Sequence, residues 1–358
     1  MEECEMAIQI QEILKTGLDM CGSDIFVIPG SPISLKRGGE IFPITSERVM
    51  PDSSKELLEQ IYQLANRDIK RLLEEGDDDF SFSVKGAGRF RCNAYKQRSS
   101  LAAVLRIVTF GLPDSGRMHI PQAVMDLYRQ KNGMILVTGP AGSGKTTTLA
   151  CLIDQINQKR SGHIITIEDP IEYIHSHQKC LVSQRELDLD TESYETALRA
   201  ALRQTPDVIL LGEMRDFETI QTALTAAETG QLLLSTLHTI GAAKTIDRIV
   251  DVFPAGQQAQ IRVQLSMVLR AVVSQRLLPV VDGGLEPVFE IMIVNPAIQN
   301  MIREGKIHQM DNVIYSGGVA GMQTMDSDIL RLYKAGRITK ETALTYAVNP
   351  ELLGRKLS

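Results

Sequence analysis

The 358-residue chain is predicted to be an α/β protein, with a larger domain built on a parallel sheet preceded by a smaller α+β domain. Three observations support this. From about residue 119, short apolar runs alternate with helix-like runs, as strands and helices do when helices cover both faces of a parallel sheet. One of those apolar runs leads into an eight-residue Gly-rich pattern of the kind that cradles phosphates. The chain is also longer than one ordinary domain requires. Residues 1–110 read as the N-terminal domain, 111–118 as a linker, and 119–358 as the second domain with C-terminal helices.

In the first domain, Asp24 to Ile28 is a short strand closed by the turn cluster Pro29-Gly30-Ser31-Pro32. Ser53 through Leu73 carries apolar residues at helical spacing and ends in the acidic run Glu74 to Asp79, which reads as a solvated loop. Phe80 to Val84 and Phe90 to Ala94 alternate like strands, and Lys85-Gly86-Ala87-Gly88 joins them as a hairpin. Gly111 to Gly116 is rich in turn formers and lacks periodicity, as a linker does.

In the second domain, Met134 to Thr138, Ile164 to Ile167, Val208 to Leu211 and Leu232 to Leu237 read as buried strands. A helix is expected from about Lys145, another between the last two strands stopping at Gly230, and another on the face Tyr194, Ala197, Leu198, Ala201 and Leu202. Asp190 or Thr191 is the expected cap of that last helix. Ile261, Leu265, Val268, Leu269 and Val272 mark a long helix halted before Pro279, and further helices are expected at 328–335 and 339–347.

Composition narrows the function classes. Hydrophobic residues at 43% and charged residues at 23% are ordinary for a soluble globular protein. A net charge of −6, 5% aromatics and no Trp give no reason to expect nucleic acid as partner. No apolar stretch approaches the ~20 residues that span a bilayer. The acidic start Met1 to Glu5 lacks the order of a secretory signal, so membrane association is expected only through a partner. Cys4, Cys21, Cys92, Cys151 and Cys180 are scattered, form no Cys-x-x-Cys pair, and fit a reducing cytoplasm better than a disulfide framework or zinc site.

The chemistry concentrates in a few places. Gly139-Pro140-Ala141-Gly142-Ser143-Gly144-Lys145-Thr146 matches the P-loop pattern: glycines let successive N–H groups turn inward on phosphate oxygens, and the following helix adds its positive end. Lys145 can reach the β- and γ-phosphates of ATP, and the Thr146 hydroxyl can ligate Mg²⁺. Hydrolysis also needs carboxylates that hold the metal and orient water. Two acidic groups follow strands, Glu168-Asp169-Pro170-Ile171-Glu172 and Gly212-Glu213, and Glu213 is expected to end the strand beside that of the phosphate turn. His238 closes a further strand in the same way and is placed to sense the γ-phosphate or bridge to a neighbour.

These segments resemble the secretion ATPase superfamily of type II secretion and type IV pili, in particular its retraction, or twitching-motility (PilT), family. Gly139 to Thr148 resembles the Walker A box, Ile164 to His175 the Asp box, Leu202 to Asp216 the Walker B box, and Thr229 to Thr239 the His box. Ala297 to Lys306 resembles the AIRNLIRE motif of retraction ATPases, and Gly321 to Asp326 a further late signature. The resemblance implies a RecA-like P-loop ATPase domain behind a PAS-like N-terminal domain. It implies ATP and Mg²⁺ bound by Gly139 to Thr147, with Glu172 as a catalytic glutamate, Glu213 as the Walker B acid near the metal, and His238 as the His-box histidine.

It further implies a cytoplasmic homohexamer. Such a ring would act through an inner-membrane platform protein on the pilin fibre, with no direct membrane insertion. Phe26, Gln231 and Gln299 depart from residues common in the family. In this family arginines of the N-terminal domain serve a neighbour's nucleotide, which points to Arg91 and Arg98; such a cation is worth about 10³–10⁵ in rate. The alternative functions are an assembly ATPase for pilus extension or type II secretion and, further off, a RecA-like nucleic-acid motor. The paired Cys-x-x-Cys ligands typical of assembly relatives do not occur here.

Overall fold

A computed structural model describes residues 9–86, 88–108, 112–318 and 321–357. Cys4, Ala87 of the hairpin turn and Gly111 of the expected linker lie outside them. The chain divides into two units, 1–111 and 112–358.

The first unit holds helices α1 (Ile10–Asp19), α2 (Pro51–Leu64) and α3 (Lys70–Glu75). Its strands are β1 (Asp24–Val27), β2 (Pro32–Arg37), β3 (Glu40–Arg48), β4 (Asp77–Val84), β5 (Gly88–Gln97) and β6 (Ser100–Val108). They form one antiparallel sheet ordered β3-β2-β1-β6-β5-β4. Leu14, Leu58, Ile61 and Leu72 of the helices pack on Ile25, Leu35, Phe90 and Leu105 of the sheet. The β4–β5 hairpin sets Phe82 opposite Phe90.

Two expectations are corrected here. The helical stretch at 53–73 is two helices, because Asn66 enters the left-handed region (φ 50°) just after α2. The acidic run is not a solvated loop: Asp77 to Asp79 open β4. Asp78 is buried and accepts hydrogen bonds from the Tyr62 hydroxyl at 3.0 Å and from Arg67 Nε and Nη2 at 2.9 and 2.8 Å. Strand alternation turns this one carboxylate inward while Asp77 and Asp79 stay exposed.

The second unit begins with α4 (Gln122–Met125) and centres on a seven-stranded sheet: β7 (Gly133–Thr138), β8 (Gly162–Glu168), β9 (Cys180–Glu186), β10 (Val208–Leu211), β11 (Leu232–Leu237), β12 (Leu269–Pro279) and β13 (Leu285–Ile293). The order is β13-β12-β7-β11-β10-β8-β9, parallel throughout except for the antiparallel edge strand β13. One face is covered by α5 (Lys145–Lys159), whose Leu149, Leu152, Ile153 and Ile156 meet Ile135 and Val137. The other face is covered by α6 (Tyr194–Ala201), α7 (Phe217–Glu228), α8 (Ala242–Asp251), α9 (Ala255–Val268), α10 (Pro296–Glu304) and α11 (Met310–Ser316), against Met134, Leu136, Ile209 and Leu233. With both faces buried, the central strands read as unbroken apolar runs.

Beyond them, α12 (Met325–Lys334), α13 (Lys340–Tyr346) and α14 (Pro350–Gly354) form a small cluster on Leu278 and Val288. The 321–326 segment anchors that cluster. Thr324 caps α12, Gln323 pairs with Ile291, and the Asp326 carboxylate accepts the N–H groups of Val348 and Asn349.

Three further expectations are corrected. Leu269 and Val272 do not extend a helix; α9 stops at Val268 and the chain enters β12, which pairs with β7 and includes Pro279. The cap of α6 is Ser193, whose hydroxyl accepts the Thr196 N–H, and not Asp190 or Thr191. The strand leading to Glu213, β10, does not lie beside β7, because β11 intervenes. The strands flanking β7 are therefore β11, which His238 follows, and β12.

Candidate active site

Thr138, Leu237, Leu211 and Ile167 lie near the C-terminal ends of four parallel strands, and register brings those ends to one edge of the sheet. From that edge emerge the Gly139–Lys145 turn, His238, Gly212-Glu213 and Glu168 to Glu172. The chain leaves β7 towards β8 on one side and later crosses to β12 on the other, so the turn occupies the topological switch point where open α/β sheets bind ligands.

The turn is shaped by its glycines. Gly139, Gly142 and Gly144 all have positive φ (144°, 74° and 86°). A Cβ at Gly139 would run into the Gln275 carbonyl oxygen, and one at Gly144 would come within 2.9 Å of Gln275 Nε2. Lys145 opens α5, 9% exposed, and its ammonium donates to the Gly139 and Pro140 carbonyls at 2.9 and 3.0 Å. Burial lowers its pKa, while the charges of Glu213 and Glu172 oppose that shift. Thr146 is half-buried, and the buried Ser143 hydroxyl has no hydrogen-bond partner among the described residues.

Glu213, largely buried, pairs with Arg215 Nη2 at 2.6 Å and lies 3.4 Å from His238 Nε2. The Thr236 hydroxyl donates to the Gly212 carbonyl and the Met214 N–H to the Thr236 carbonyl, which locks the ends of β10 and β11 together. The Gly241 N–H donates to Ser274 Oγ and the Ala242 N–H to Glu290, fixing the loop after His238. Glu172 is exposed, on a loop whose Tyr173 hydroxyl lies 3.0 Å from Thr147 Oγ1.

The structure thus brings Gly139 to Thr147, Glu172, Glu213 and His238 to one sheet edge. Arg91 and Arg98 belong to the first unit. Arg91 makes a two-pronged pair with Asp79 at 3.0 and 2.6 Å, and Arg98 is exposed on the two-residue turn between β5 and β6, at φ 45°.

Residues 102–286 match the family model described as type II/IV secretion system protein. Over 348 residues the chain is 44% identical to the type IV pilus retraction ATPase PilT of Pseudomonas aeruginosa, covering 96% of this chain and 99% of that one. This chain belongs to the type II/IV secretion system protein family. It is also 38% identical to the type IV pilus ATPase PilU of the same organism, over 95% of this chain and 89% of that one. A crystal structure of the pilus retraction motor PilT with bound ADP superposes with a TM-score of 0.90 at 46% identity, covering 97% and 99% of the two chains. The fold is accordingly that of a type II/IV secretion ATPase, an N-terminal domain followed by a sheet-based ATPase domain.

Gln275 lies outside the motifs yet shapes this secretion-family site, and for Glu168 and His175, in the acidic segment that ends β8 and follows it, the burial is not legible in the sequence. Gln275 lines the phosphate turn from β12 and accepts the Thr148 hydroxyl at 2.7 Å. Its signal was the polar pair Ser274-Gln275 inside an apolar run, aligned with Thr138 at the end of β7. Glu168, at the end of β8, is 6% exposed and accepts from Thr166 Oγ1 at 2.6 Å and Gln184 Nε2 at 3.3 Å. Burial raises its pKa from 4.5 to about 7 despite those donors. His175 is also buried, which lowers its pKa to about 4 and keeps the ring neutral.

Glu168 has a consequence for pH. Between about pH 4.5 and 7 the folded chain holds a proton that the unfolded chain has released. Its contribution to stability is therefore full below about pH 4.5 and is lost as pH rises to about 7, on the order of 3 kcal/mol in all. Glu168→Gln, which stays neutral and keeps an acceptor oxygen, flattens this dependence. Thermal or urea unfolding between pH 5 and 8 checks it: the variant gains on the parent as pH rises. Parallel stability curves would show that Glu168 is ionised throughout.

Proposed function

We propose that this chain is the ATP-hydrolysing subunit of a motor that retracts type IV pili. The observation that carries the reading is the phosphate turn at one sheet edge with Glu172, Glu213 and His238, in a chain similar to PilT along nearly its whole length.

The cradle suits a polyphosphate. Its glycines keep side chains out of the loop, the Ser143 hydroxyl lacks a partner among the described residues, and the Lys145 ammonium is held by neutral carbonyls that phosphate oxygens can replace. Backbone N–H groups of 142–146 and the positive end of α5 receive the β-phosphate, and Lys145 reaches the γ-phosphate. Among the described residues no cluster of three or more His, Cys, Asp or Glu could hold a metal alone. The donors present, the Thr146 hydroxyl and the Glu213 carboxylate, fit a magnesium ion shared with the phosphates. When bound, Mg²⁺ supplies charge neutralisation on the phosphate oxygens.

Glu172, exposed beside this site, orients the attacking water. His238, next to Glu213, answers to the γ-phosphate. In a homohexameric ring, Arg91 and Arg98 add positive charge at a neighbour's nucleotide, Arg91 exchanging Asp79 for phosphate. The ring acts on the pilin fibre through an inner-membrane platform protein. No described helix is long and apolar enough to cross a membrane.

Deleting the gene in its host and imaging the pili tests the reading. Excess static pili and loss of twitching are expected, restored by the wild-type gene and not by a Lys145→Ala copy. Bald cells would reassign the chain to pilus assembly.

A further inference from the structure

The loop that carries Glu172 leaves β8 and reaches β9, and three of its residues are held by side chains of neighbouring elements. The Ile171 N–H donates to Glu186 Oε2 at 2.9 Å. The Gln184 amide works in both directions: its Nε2 donates to the Tyr173 carbonyl at 2.9 Å, and its Oε1 accepts the His175 N–H at 2.8 Å. Residues 171, 173 and 175 are thus fixed to alternate residues of β9, Gln184 and Glu186, while Glu172 between them stays exposed. On the other side, the Tyr173 hydroxyl meets Thr147 Oγ1 at 3.0 Å, in the first turn of α5 and two residues after Lys145.

We propose that Tyr173 and Gln184 are positioning residues, which together fix the distance between Glu172 and the phosphate turn. Gln184 holds the loop's backbone to β9, and the Tyr173 hydroxyl ties the same residue to the helix that receives the phosphates. Neither touches the reacting atoms; both act through Glu172. The device also makes the loop responsive to nucleotide. The Thr147 hydroxyl can accept from Tyr173 while donating to a phosphate oxygen, so occupancy of the turn orients the hydroxyl towards the tether. The proposal rests on the ATPase reading and on Glu172 as the residue that orients water.

The test uses the purified full-length chain, steady-state ATP turnover, fluorescent-ADP titration and thermal melting. Tyr173→Phe removes one oxygen and keeps the ring, so kcat is expected to fall about tenfold while KM for ATP and ADP affinity stay within about twofold. Gln184→Met releases the backbone and gives the same split; if it folds poorly, Tyr173→Phe alone decides. The distinguishing readout is non-additivity: Glu172→Gln combined with Tyr173→Phe is no slower than Glu172→Gln alone. Unchanged kcat in Tyr173→Phe, or effects that multiply in the double variant, would overturn the positioning role. Wild-type turnover in Glu172→Gln would instead remove the catalytic assignment itself, and the proposal with it.

Discussion

Lys145→Ala is expected to lower ATP turnover by about 10³-fold or more while the protein stays folded. In the proposed reading the ammonium reaches the γ-phosphate, and its hydrogen bonds in the structure are to the turn's carbonyls. Alanine keeps the helical start of α5 and removes no packing from the core formed by Leu149, Leu152 and Ile153, so the melting temperature should move little. Lys145→Arg should not rescue turnover, because a planar guanidinium does not reproduce a compact ammonium held by two turn carbonyls in a residue that is 9% exposed. A phosphate-release assay with a fluorescent-ADP titration measures both halves. Turnover above about a tenth of the parent's would place the phosphate clamp on another residue.

The second large effect is expected at Glu213. Glu213→Gln preserves shape and keeps an oxygen for Arg215 or His238, but removes the negative charge between them. If that charge helps hold magnesium against the phosphates, turnover falls by about 10²–10³-fold. The magnesium concentration for half-maximal turnover rises, while ADP binding without the metal is unchanged. Titrating magnesium at saturating ATP separates this from a misfolded site. A lower rate at an unaltered magnesium midpoint would give Glu213 a role away from the metal.

Much of this site was legible because its signals are local. Gly139 to Thr146 must be Gly-rich where the backbone turns, and strands β10 and β11 begin and end where their apolar runs do. What was not legible depends on partners distant in sequence. The order of the strands, which puts β11 between β7 and β10, is set by pairing that no local pattern encodes. The start of β12 carries no local mark of a strand, because Ile261, Leu265 and Val268 have helical spacing and the apolar residues simply continue; a strand buried on both faces shows no alternation to mark the change. By its position Asp78 is one acid in a charged run, and its hydrogen bonds from Tyr62 and Arg67 are what allow it to be buried. Tyr173 and Gln184 are ordinary residues in sequence and acquire meaning from Thr147 and from each other.

The position of Gln275 governs how far the ATPase unit can be shortened. Every recognisable nucleotide motif lies before residue 240, yet the rear wall of the turn is a carbonyl and an amide contributed by β12, with the Thr148 hydroxyl bonded to the same side chain. A fragment ending after β11 would retain each signature and lose the surface against which the turn closes, exposing the flank of β7 as a new sheet edge. Catalytic competence therefore belongs to a longer stretch of chain than the motifs delimit, and the smallest autonomous ATPase would have to extend through β13.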